Sequence, residues 1–222
     1  MMEELQLRIT ENKDWATVLF VIAFMIIALT KSMYENRFHD FSKLLFSDKY
    51  AKIYRESSHL RTFFTAGLFL VQVISFAFFI LLTLNLFGYA SKTDWLLYIQ
   101  IITFLFFFIG SKYLVEKIIA TSFNIEEFSE QFNLQKITYR TYIGILLLPI
   151  NAILFYYNDI SRSVPLIIMG VALTISIASY IISIKNYQNV IIGKLFYFIL
   201  YLCALEIAPY YFMYYLFTKG NI

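Results

Sequence analysis

One carboxylate in this chain stands where carboxylates are rare. In "LYLCALEIAPYYFMYYLF", residues 200–217, Glu206 lies inside a run apolar enough to cross a bilayer, and Pro209 follows three positions later. A charge at mid-bilayer costs at least about 2.5 kcal/mol. Glu206 is therefore expected to be neutral and to seek an amide or hydroxyl partner. Two amides are placed to meet it by depth. Asn151 lies eleven residues beyond Arg140, Gln72 about nine beyond Phe63, and Glu206 twelve beyond Lys194. At about 1.5 Å of rise per residue, all three reach a similar level. Together they form a candidate midplane polar cluster: a proton or ligand site if water reaches it, an architectural one if its members have fixed partners.

Two prolines sharpen the pattern. Pro149 precedes Asn151 by two positions and Pro209 follows Glu206 by three. Each lacks the N–H that would reach back one turn, so the carbonyls of Ile145 and Leu205 are freed and a helix break is expected at both. Broken helices beside polar residues are used by transporters around a midplane site; kinks that only improve packing are the alternative. Lys112 and Glu116, four apart near one end of an apolar run, read as an inner-interface pair with a snorkelling lysine.

Other chemistries are poorly supplied. Histidine-rich iron enzymes need many imidazoles, and only His39 and His59 occur. Glu56 and His59 have the E-x-x-H spacing, but di-iron sites use two such pairs on facing helices, so a surface helix without metal is expected. The chain has no G-x-S-x-G, H-E-x-x-H, G-x-x-x-x-G-K-[ST] or G-x-G-x-x-G. No catalytic residue, cofactor or metal is expected, and no nucleic-acid partner.

The elements that position these residues follow from composition. The 222 residues are 60% hydrophobic and 15% charged, with mean hydropathy +0.67, more apolar side chain than one water-solvated core of this length can hide. Lipid must be the solvent for much of it, and scarce glycine favours helices over an outer-membrane barrel. A fold of one all-α, polytopic membrane domain over 1–222 is expected. Its six spans fall near 15–32, 62–87, 95–114, 139–157, 164–184 and 195–217, each close to the roughly 20 residues a bilayer requires. The first is read as a retained span, because the segment before it carries acids as well as bases and no small-x-small cleavage site follows. The single Cys203 permits no internal disulfide.

Charge sets the threading. The first, third and fifth connections hold 13 of the 18 Lys and Arg, which places them in the cytoplasm and both termini outside it. Trp15, Tyr89, Trp95, Tyr156, Tyr157, Tyr214 and Tyr215 then form the outer aromatic belt. Two cytoplasmic connections are amphipathic. Near 35–60, Phe38, Phe41, Leu45, Tyr50, Ile53 and Tyr54 recur at helical spacing among basic residues, as in a helix on an anionic leaflet. Near 122–135, Ile125, Phe128 and Phe132 alternate with Glu126, Glu127 and Glu130. The two segments either ride the interface separately, pair by opposite charge, or receive a protein partner.

The runs "FYFILYLCALEIAPYYFMYYLF" and "YRTYIGILLLPINAILFYYN" resemble an uncharacterised multi-pass inner-membrane family of the Bacteroidota, a domain of unknown function. The resemblance implies a Gram-negative inner membrane and six spans, and carries no activity. Three roles remain open: a scaffold or accessory subunit of a cell-envelope complex with membrane-protein partners, a small proton-coupled carrier or channel using Glu206, and a lipid-modifying enzyme with a carboxylate base. Membrane lipids are expected contacts in all three.

Overall fold

A computed structural model describes residues 13–44, 62–122, 126–157, 161, 163–186, 211 and 215, and every element among them is helical. The helices are α1 (Asp14–Met33), α2 (Glu35–Ser42), α3 (Phe63–Leu86), α4 (Trp95–Ser122), α5 (Glu126–Tyr156) and α6 (Ser163–Asn186). Four of them are long and apolar enough to cross a membrane: α1, α3, α4 and the Asn133–Tyr156 part of α5. Of the sixth expected span only Tyr211 and Tyr215 are described; Glu206 and Pro209 lie outside the described residues, as does most of the basic segment after α2.

Local chemistry explains where the helices stop. The link from α3 to α4 is a Schellman turn: Gly88 adopts φ +81°, Tyr89 N–H donates to the Leu84 carbonyl and Gly88 N–H to that of Asn85. Only glycine takes that conformation without strain. The Asn85 amide closes the turn onto the Ala90 carbonyl at 2.9 Å. Asp94 then caps α4, its carboxylate accepting from Leu97 N–H at 3.0 Å. α1 begins with Asp14 and carries Lys31 in its last turn, charges that suit the helix dipole.

Two helices outrun the apolar stretches that marked them. α4 continues past Leu114 to Ser122, and residues 126–135 are the first turns of α5 instead of a separate interfacial helix. Hydropathy ends where polar residues begin, but a helix ends only at a cap or a breaker, and no Gly or Pro lies between Lys112 and Gly144. Pro149 lies inside α5, which runs on through it to Tyr156. The proline costs one backbone hydrogen bond without ending the helix, and its own side is exposed.

α3 is the centre of the bundle, packed chiefly on α5 and also on α1 and α4. α3 and α5 run parallel, since Phe64 lies near Tyr139 at one end and Phe78 contacts Phe155 at the other. α1 and α4 run the opposite way, with Phe20 and Tyr98 on Phe78 and, lower down, Phe106 on Phe69. The upper layer is an aromatic stack: Phe20 on Phe78 at 4.2 Å, Tyr98 on Phe78 at 4.5 Å and Trp15 on Tyr98 at 5.1 Å. Where lipid is the solvent, apolar burial between helices contributes little, so such close packing and interhelical polar bonds carry association.

The lower layer joins α2 to the bundle. Phe41, Leu44, Phe64, Leu68 and Tyr139 form one cluster. Arg37, expected among the bases facing headgroups, instead turns inward and is 7% exposed. Its guanidinium donates to the Thr62 hydroxyl at 2.8 Å and the Thr65 hydroxyl at 3.3 Å and lies 4.4 Å over the Phe64 ring. A guanidinium has five donors, and hydroxyls plus an aromatic face accommodate it better than hydrocarbon alone.

Candidate functional site: a polar seam between α3 and α5

Both described amides of the expected midplane cluster are buried in the α3–α5 contact, Gln72 at 1% and Asn151 at 0% exposure. They do not meet. Gln72 accepts from the Thr141 hydroxyl at 2.8 Å through its Oε1. Asn151 donates its Nδ2 to the Ser75 carbonyl at 2.8 Å and to the Ser75 hydroxyl at 3.2 Å. Each amide bonds to the facing helix at its own level, so the seam is two rungs and not one cluster. Glu206 and Pro209 lie outside the described residues.

The rungs are possible because Gly144 lies between them. A Cβ there would come 2.9 Å from both Cα and Cγ of Gln72, closer than real side chains approach. The missing side chain lets the α5 backbone reach α3, the arrangement by which small residues join membrane helices. Leu148, fully buried, fills the next turn. Thr141, Gly144, Leu148 and Asn151 thus occupy one stripe at 3-4-3 spacing, and Gln72 and Ser75 are adjacent on the facing helix.

The seam leaves two valences over. Gln72 Nε2 and Asn151 Oδ1 are buried without a partner among the described residues, one a donor and the other an acceptor. Buried polar atoms of this kind are uncommon and ask for an explanation.

Below the seam, Glu116 on α4 pairs with Lys136 on α5 at 3.3 Å, with side chains 5% and 9% exposed. The i,i+4 reading missed this partner, because the contact is between helices and 20 positions apart. Lys112 is buried one turn from Glu116 on the same helix. Hydropathy and motif spacing do not distinguish Arg37, Ser75, Thr141 and Lys136 from their neighbours. For Ser75 and Thr141 the usable signal was their place, three positions from Gln72 and from Gly144. Among the described residues, no group of three His, Cys, Asp or Glu could hold a metal ion.

The arrangement holds helices together. Neutral amide–hydroxyl rungs and a buried ion pair fix the azimuth and height of α5 against α3 and α4. A family model described as "Domain of unknown function (DUF4271)" matches residues 16–217. No curated protein and no solved structure matches.

Proposed function

This chain belongs to the DUF4271 family, and from that premise we propose a six-span integral inner-membrane scaffold or accessory subunit of a cell-envelope complex. The observation that carries this reading is the fixed pairing of the buried amides. A transport path would leave Gln72 and Asn151 turned to water, whereas both are buried and engaged by Thr141 and Ser75 on the facing helix. A second feature fits. In the most apolar stretch of α4 only 6% of residues are buried, and Phe104, Phe106, Phe107 and Ile118 are exposed along it, area available to lipid or a partner helix. The basic end of the bundle is taken as cytoplasmic and both termini as periplasmic.

The test is affinity purification of the full chain from native membranes in a gentle detergent. A stoichiometric membrane-protein partner is expected. A monodisperse single protein, with nothing co-purifying, overturns the scaffold role.

One observation favours the carrier as a second reading: the spare donor of Gln72 and spare acceptor of Asn151 are what a relay including a protonated Glu206 would use. Substitution of Glu206 separates the two readings, as set out below.

A further inference from the structure

A groove of about 480 Å³ opens on the side of the bundle where α3, α4 and α5 meet. That volume lies within the roughly 300–1,000 Å³ of small-molecule sites. Its wall is apolar, formed by Phe69 of α3 and Ile109 and Leu114 of α4, and its basic end carries Lys117 of α4 and Arg140 of α5. Lys117 is exposed and Arg140 half-buried, and neither has an ion-pair or hydrogen-bond partner among the described residues. Glu116, next to Lys117 in sequence, is already engaged by Lys136. From Lys117 to Ile109 the groove follows α4 for about 12 Å, at about 1.5 Å per residue.

Gln72 also lines the groove, with a side chain 1% exposed. The groove therefore joins two cations that have no partner among the described residues to an apolar wall. We infer that this groove binds one anionic glycerophospholipid, with the phosphate on Lys117 and Arg140 and an acyl chain along Phe69, Ile109 and Leu114. A guanidinium and an ammonium together suit a phosphodiester. Basic pockets between membrane helices are known to take anionic headgroups. A free inorganic phosphate would satisfy the cations but not the wall. The inference needs the chain to be embedded in a membrane and does not depend on the scaffold role.

The test is native mass spectrometry of the delipidated full chain in a neutral detergent, offered phosphatidylglycerol or phosphatidylcholine with identical acyl chains. At about the usual contribution per basic residue, two cations favour phosphatidylglycerol by about 30-fold. Substitution of both, K117Q/R140Q, is expected to bring the ratio to about unity, while K31Q/K43Q, at two exposed bases elsewhere, leaves it unchanged. Gly110 also lines the groove, and a Cβ built there meets nothing within 4 Å. Gly110→Trp fills the space without touching either charge and should abolish the bound lipid while far-UV circular dichroism stays that of the parent. Equal binding of the two lipids, a preference that survives K117Q/R140Q, an equal loss in K31Q/K43Q, or displacement of the lipid by millimolar inorganic phosphate would each overturn the site.

Discussion

Gly144 offers a way to weigh the α3–α5 contact without removing any polar group. In Gly144→Ala the new methyl would lie 2.9 Å from Cα and Cγ of Gln72, where ordinary contacts are 3.4–4 Å. One of the two atoms is backbone, so no rotamer change relieves the clash. The helices must separate by about 0.5 Å, which stretches the 2.8 Å Thr141–Gln72 bond past the roughly 3.0 Å at which hydroxyl bonds weaken. Overpacking of this kind costs about 1–3 kcal/mol. Alanine also gains about 1 kcal/mol of helix propensity over glycine, which would mask part of the loss. Gly110→Ala supplies the control, because it makes the same chemical change on α4 at a position with open space around it. Subtracting one from the other cancels the propensity term and isolates the steric one. Reversible unfolding in mixed micelles, followed by far-UV circular dichroism, should place Gly144→Ala about 1–3 kcal/mol below Gly110→Ala. Equal stability of the two, or a more stable Gly144→Ala, would refute the close approach of α5 to α3.

Further expectations concern the rungs, the ion pair and the terminal span. Thr141→Val removes the donor to Gln72 and should lower stability by about 0.6 kcal/mol and by no more than about 1.7, the average and the maximum measured for interhelical hydrogen bonds in a membrane protein; no change in the unfolding curve would mean that the rung carries no load. Lys136→Met strips Glu116 of a buried partner and should cost about 3–5 kcal/mol, far more than Lys31→Met at an exposed position, and equal effects would count against a desolvated pair. Glu206→Gln, a near isostere of the neutral acid, should leave stability and partner capture intact, whereas Glu206→Leu should lose about 1–3 kcal/mol. Loss of function in the glutamine variant with its fold preserved would instead support proton coupling. Lys219→Cys in a Cys203→Ser background should react with a membrane-impermeant maleimide from the periplasmic side, and silence there would reverse the proposed orientation.

Much of the seam was legible, though not its pairing. Gln72 and Asn151 stand out because an amide in an apolar run is costly, and the structure buries both. Depth alone suggested that they meet, but contact also requires the same azimuth, and hydropathy carries no azimuth. The stripe Thr141, Gly144, Leu148, Asn151 does carry it, since its 3-4-3 spacing marks one face of α5. The i,i+4 rule joins Glu116 to Lys112 within one helix and carries nothing of Lys136, which enters through tertiary packing. The extension of α4 to Ser122 escaped for a different reason: polar side chains end a hydrophobic run without ending a helix.

The two rungs also impose an order of events during synthesis. Asn151 is the partner of a serine 76 residues upstream, and Thr141 of a glutamine 69 residues upstream. At about 5–20 residues per second, α3 therefore waits roughly 4–15 s after it emerges before its amide and hydroxyl are met. Arg37 waits for Thr62 and Thr65 in the same way, but only for 25 and 28 residues. α1, α2 and α3 can thus close as an early unit, locked at Arg37, while the polar face of α3 stays open for a late arrival. The newborn protein passes through an interval in which its most central helix is its least satisfied one, and whatever shelters Gln72 and Ser75 during those seconds decides whether the last rung finds its partner.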